Sequence, residues 1–187
     1  VKVEYCDDEF YNDLEKYLGI EKYKFNEIDK PQVGVVNGLA YTPYGGDVLP
    51  IEVNYYKGSG KLILTGSLGD VMKESASIAL DYIKSNYKEF DINYSILSEN
   101  DIHIHVPEGA IKKDGPSAGI ALTLALISSL TNKEIPSDIA LTGEVTLRGN
   151  VLAIGGLKEK SLGALRSGVN KVILPFDNLS DVDELPM

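Results

Sequence analysis

The stretch DGPSAGIALTLALISSL, from Asp114 to Leu130, limits the fold more than any other, because a helix opening at its start would be apolar or small almost all round. Such a helix has no face suited to water and has to be enclosed by other elements. The chain supplies them. LGDVMKESASIALDYIKSNYKEF sets Leu68, Val71, Met72, Ser75, Ile78, Ala79, Tyr82 and Ile83 at spacings of three and four, which predicts an amphipathic helix packing on a sheet. Strand signals surround it. QVGVVNGLAYTPYGGDVLPIEVNYY, from Gln32, has β-prone runs broken by Asn37-Gly38 and Gly45-Gly46 and reads as strand and turn; KLILTGS, from Lys61, adds a short strand. DIHIHV, at 101–106, alternates strictly, a half-buried strand with His103 and His105 on one face. IALTGEVTLRGNVLAI reads as a hairpin turning near Arg148, Gly149 and Asn150. LKEKSLGALRSG is a helix stopped by Gly168, and KVILP a closing strand stopped by Pro175. The order is α+β and not a strict βαβ alternation.

The 187 residues, 43% hydrophobic, suit one globular domain with an appended arm. The arm is residues 1–30, polar and rich in Tyr, with a short helix expected from Asp7 to Leu18 before Gly19; the domain proper is 31–187. With 18 Lys+Arg against 28 Asp+Glu the net charge is −10, which argues against a nucleic-acid partner. Cys6 stands alone, so no internal disulfide forms and a reducing compartment is expected. No apolar run reaches the ~18 residues of a membrane span, and VKVEYCDDEF has no signal-peptide pattern. We expect a protein that is neither exported nor in the membrane.

Ser117 admits two readings. As a helix start, Asp114 or Gly115 caps, Pro116 takes the first helical position and Ser117 is an early residue with no chemistry. As a nucleophile, Ser117 lies in G-x-S-x-G, where small neighbours admit a carbonyl and amides at the helix start could hold an oxyanion. The α/β-hydrolase order requires a histidine after the serine, yet His103 and His105 both precede it, so that family is excluded. On a strand face the histidines suit loop contacts, and the H-x-H pattern with Asp101 and Glu108 nearby is a weak metal signal. Lysine is the remaining base. Lys158 shares its helix face with Leu162 and Leu165, Lys160 with the small Gly163, Ala164 and Ser167, and helix position does not choose between them. Either would need a pKa brought from ~10.4 toward ~7 by burial away from anions. KGSGKL, at 57–62, fails G-x-x-x-x-G-K-[ST], so it is not an ATPase phosphate loop.

The strings HIHVPEGAIKKDGPSAGIALT, ALTGEVTLRGNVLAIGGLKEK and VILPFDN closely resemble the proteolytic domain of Lon, the ATP-dependent serine protease family. GLAYTPYGGDVLPIE and GKLILTGSLGDVMKES extend the resemblance from about Val33 to the end. It implies an α+β fold of mixed sheets and hairpins against several helices, the ribosomal protein S5 domain 2-like fold. It places the nucleophile on Ser117 and the catalytic lysine on Lys160, 43 residues later. It also gives Thr142 a role in holding that lysine and Asp114 a gating role beside the serine. The histidines then belong to the strand leading into the site. The implied activity is serine endopeptidase action on unfolded, misfolded or regulatory polypeptides through an acyl-enzyme. The implied partners are an AAA+ ATPase module, where ATP and Mg would bind, and five further copies in a hexamer, in the cytoplasm or, for a eukaryotic source, the mitochondrial matrix. No cofactor or metal is expected in the proteolytic domain. DVDELPM ends where the family's domain continues with a strand and a helix, so a truncated domain is expected. Two other classes compete: a Lon-like assembly module whose site is shut without its ATPase partner, and a hydrolase using His103 or His105.

Overall fold

A computed structural model describes residues 30–42, 45–183 and 185. The helix expected over Asp7–Leu18 and most of the arm lie outside them. The strands are β1 (Val35–Thr42), β2 (Gly45–Lys57), β3 (Leu62–Thr65), β4 (Asn100–His105), β5 (Ile139–Leu141), β6 (Glu144–Val145), β7 (Val151–Leu152) and β8 (Lys171–Ile173). The helices are α1 (Asp70–Ser85), α2 (Tyr94–Glu99), α3 (Gly119–Thr131), α4 (Leu157–Arg166) and α5 (Leu179–Val182), the last following a 3-10 turn at Phe176–Asn178.

Six strands form one mixed sheet in the order β3-β4-β2-β1-β5-β8, and β6 and β7 pair separately. Antiparallel pairing joins β1 to β2 and β2 to β4; β3 with β4, β1 with β5 and β5 with β8 are parallel. Alternation along the strands divides their side chains between two faces. Leu49, Ile51 and Val53 of β2 and Ile102 and Ile104 of β4 meet α1 and α3 in one core. On the opposite face Leu39 and Ala140 meet Ala164 of α4 and Val169, with Val48 packed alongside. The apolar run of α3 is enclosed as its composition requires: Ala121, Leu122, Thr123, Ala125, Leu126, Ser128, Ser129 and Leu130 are all buried.

The α1 stripe holds at Met72, Ser75, Ala79 and Ile83, and α3 beside it also buries Ala76 and Leu80. Val71, expected on the buried side, is exposed. Two expectations about the strands are corrected. Asn37-Gly38 is no turn but lies inside β1, opposite Pro50 and Leu49. Asn37 there donates its side-chain amide to the Ser137 carbonyl at 2.8 Å, and a Cβ on Gly38 would sit 3.4 Å from the Ala121 Cβ, so the small residue lets α3 approach. Residues 139–154 are not one hairpin either. Strand β5 joins the main sheet, and only β6 and β7 pair across the Thr146–Asn150 turn, where Gly149 takes φ +80°. The chain leaves the sheet after Leu141 because Gly143 bonds the start of α3: its N–H donates to the Ser117 carbonyl at 2.7 Å, and its carbonyl accepts from Ile120 at 3.0 Å.

The 57–62 loop has its amides occupied. Asp101 accepts from Ser59 N–H at 2.7 Å and from Lys61 N–H at 3.0 Å, and these bonds hold its carboxyl below the usual range. A carboxylate there repels the phosphate that a nucleotide would present.

Candidate active site

Ser117 sits in the turn just before α3, closed by the Gly119 N–H on the Pro116 carbonyl at 3.0 Å. The helix begins at Gly119 with Ala118 as its N-cap, so Pro116 does not open the helix and Ser117 is outside it. The cause is the Gly143 contact, which fixes the entry one turn later than the proline suggests. The two glycines flanking the serine have separate tasks. Gly115 takes φ +121°, a region closed to most side chains. Gly119 lets the 143–145 segment approach, since a Cβ there would lie 2.7 Å from the Val145 nitrogen. The amides of Ser117 and Ala118 donate to no acceptor among the described residues.

The lysine comes from α4. Lys158 is exposed, whereas Lys160 is 3% exposed, and its Nζ lies 3.0 Å from Ser117 Oγ and 3.3 Å from Thr142 Oγ1. The Thr142 hydroxyl donates to the Ser117 carbonyl at 3.3 Å, so one buried threonine touches both the lysine and the serine backbone. Burial alone brings the Lys160 pKa down to about 8, and no carboxylate forms an ion pair with it among the described residues. In the neutral amine the Nζ lone pair is free to accept the serine proton.

The helix is brought this close to β2 by two glycines. A Cβ on Gly46 would collide with the Glu159 carbonyl and lie 2.7 Å from the Lys160 Cα, and one on Gly163 would collide with the Gly46 backbone. Arg166 pins the same spot through Nη2 to the Gly46 carbonyl at 2.9 Å. Sequence reading did not single out this contact; its signal is a glycine in a helix interior, which costs ~1 kcal/mol relative to alanine and so needs a packing reason.

Asp114 is not at the lysine. Its Oδ1 accepts from Met72 N–H at 3.2 Å, in the first turn of α1, and from Gly115 N–H at 3.0 Å. Desolvation raises its carboxyl, but these amides outweigh it and hold the group below the usual carboxylate range. A Cβ at position 69 would collide with this carboxylate, so a side chain there would displace Asp114 from its place. Ser117, Lys160 and Asp114 line a cleft of about 400 Å³, together with Leu49, Met72 and Ile111.

The histidines are elsewhere. Thr65 Oγ1 lies 2.9 Å from His103 Nε2 and 2.7 Å from His105 Nδ1. Both rings line a separate space of about 820 Å³ that includes neither Ser117 nor Lys160. A serine–histidine pair is therefore not formed, and among the described residues no three His, Cys, Asp or Glu side chains converge as metal ligands.

Comparison with known proteins identifies the family. The family profile of the Lon protease (S16) C-terminal proteolytic domain matches residues 10–187. A Lon protease of Aster yellows witches'-broom phytoplasma (strain AYWB) is 56% identical over 173 residues, 91% of this chain and 22% of the relative. One from Clostridioides difficile (strain 630) is 54% identical over 176 residues, 94% of this chain and 22% of the relative. One from Bacillus thuringiensis (strain Al Hakam) is 55% identical over 170 residues, 90% and 21% respectively. The chain thus spans about a fifth of the length of these curated relatives.

Proposed function

The chain belongs to the Lon protease (S16) C-terminal proteolytic domain family, and from that premise we propose that it hydrolyses peptide bonds with Ser117 as nucleophile and Lys160 as base. The observation that carries the reading is a buried lysine at 3.0 Å from a serine hydroxyl, with no ion pair to a carboxylate among the described residues. Neutral Lys160 takes the Ser117 proton as Oγ attacks the carbonyl carbon. The carbonyl oxygen becomes an oxyanion, for which the unused amides of Ser117 and Ala118 are the nearest backbone donors to the serine. Lys160 then gives its proton to the leaving amine, and water, deprotonated by the same nitrogen, resolves the acyl-enzyme. Thr142 steadies the Lys160 amine by accepting a hydrogen bond from it at 3.3 Å. Asp114 serves as a gate: docked on the α1 amides it leaves Lys160 without an anion, and moved onto Lys160 it would hold the ammonium charged and idle.

In this reading the substrate is unfolded polypeptide, delivered by an AAA+ ATPase module outside these 187 residues, with ATP and Mg bound in that module and six copies forming the working ring in the cytoplasm. No helix among the described residues is long and apolar enough to cross a membrane. The shut assembly module is less favoured, since the Ser117–Lys160 contact is formed and Asp114 is docked away from it.

The test is hydrolysis of a fluorogenic peptide across pH. With a Lys160 pKa of about 8, roughly a tenth of the enzyme carries the neutral base at pH 7, so kcat/KM should rise about tenfold from pH 7 to a plateau above 9. Ser117→Ala should lose on the order of 10³-fold or more at every pH. A profile that falls between pH 7 and 9, or a Ser117→Ala variant as active as the wild type, would refute the assignment.

A further inference from the structure

The loop between β4 and Ser117 is held in an unusual way. Residues 108–112 are all exposed, Glu108 takes φ +63°, and Gly109 has nothing within 4 Å of where a Cβ would be. Such a segment buries too little apolar surface to fix its own shape. Yet Pro107, Glu108, Ile111 and Lys112 line the cleft that holds Ser117 and Lys160. Lys113 is the exception within the loop, 8% exposed amid these open neighbours. Its Nζ donates to the Glu108 carbonyl at 2.6 Å and the Ile111 carbonyl at 3.2 Å, with the Gly66 carbonyl at the limit of bonding, 3.5 Å. An ammonium has three donors, and all three are spent on backbone carbonyls. Its own backbone is sewn to the segment before α1: Lys113 N–H donates to Ser67 O at 3.1 Å and Gly69 N–H to Lys113 O at 2.7 Å.

We propose that Lys113 is a positioning residue whose ammonium ties the 107–112 loop to the Gly66 turn and so shapes the peptide-binding wall of the cleft. The inference rests on the serine–lysine reading above. Lys113 makes no bond to Ser117 or Lys160, so it is not a second base; it acts through the loop. Burial pulls its pKa below the ordinary lysine value, and the Glu108 charge opposes that shift.

The test compares wild type with Lys113→Met, which keeps the length and apolar stem and removes the donors, and with Lys113→Arg, which keeps charge and donors. Three quantities are read: KM and kcat for a ten-residue fluorogenic peptide, the rate of Ser117 phosphonylation by a small alkyl fluorophosphonate with loss of fluoride, and Tm. We expect KM to rise tenfold or more in Lys113→Met with kcat within threefold, phosphonylation within threefold, and KM largely restored in Lys113→Arg. Should the Met variant lose its cooperative melt, Lys113→Gln carries the same comparison. An unchanged KM with a lowered Tm would overturn the proposal, as would hydrolysis and phosphonylation falling together. A wild-type chain whose Ser117 is never phosphonylated would instead overturn the serine–lysine reading itself, and this inference with it.

Discussion

Lys160→Met is expected to abolish peptide hydrolysis and at the same time raise the melting temperature below pH 8. The first effect follows from losing the base that reaches Ser117 Oγ, a loss of on the order of 10³-fold or more. The second follows from burial. Lys160 is 3% exposed with no carboxylate paired to it among the described residues, and its pKa in the folded protein is about 8 against ~10.4 in an unfolded chain. Below pH 8 both states carry the proton and the folded state bears the cost of a desolvated charge. Between about 8 and 10.4 the unfolded state still binds the proton while the folded state has lost it, so stability rises with pH across that window. Above 10.4 both are neutral and the cost has vanished. Methionine fills the same volume without the charge, so the variant should melt several degrees higher at pH 6.5 and gain little at pH 10.5. Thermal melts at the two pH values check this; a Met variant less stable at pH 6.5 would contradict a buried, unpaired lysine.

Gly163→Ala should also be damaging, although it improves helix propensity. Alanine in a helix interior is worth ~1 kcal/mol over glycine. Here its Cβ would collide with the Gly46 backbone and lie 2.7 Å from the Asp47 nitrogen, and backbone has no rotamer by which to yield. Overpacking of this kind costs roughly 1–3 kcal/mol, so the clash wins. The consequence for activity is larger than for stability. Lys160 lies one turn before Gly163 on α4, and a ~1 Å displacement of a reacting group can cost ~10²-fold. We expect kcat/KM to fall about a hundredfold with a lowered Tm. Gly155→Ala, where nothing lies within 4 Å of the new Cβ, is the control and should change activity less than twofold.

These glycines also show where the sequence was legible. The periodic stripe of α1 and the strict alternation of DIHIHV announced their buried faces, because apolar side chains form those contacts. In α4 the rule inverts. Leu165, which shares a face with Lys158, is 70% exposed, while the buried face is Leu157, Lys160, Gly163 and Ala164. Close backbone approach rewards small residues, so hydropathy gave no preference between Lys158 and Lys160; the family resemblance chose Lys160, whose Nζ lies 3.0 Å from Ser117 Oγ. Asn37-Gly38 carried a turn signal by composition, but its packing against α3 and Ser137 depends on residues about a hundred positions away. Lys113 had no local signal at all, since it stands between Lys112 and Asp114 in a charged run and only the folded loop buries it. The position of Asp114 on the α1 amides was likewise beyond local pattern, because the contact spans 42 residues.

An NMR titration of the Lys160 side-chain amine in the purified chain, assigned by its loss in Lys160→Met, reads the protonation state on which the mechanism depends. A base poised beside Ser117 should titrate near pH 8, about two units below an ordinary lysine. Titration above pH 10 would mean an ammonium that stays charged through neutral pH and cannot accept the serine proton, and would contradict the mechanism outright.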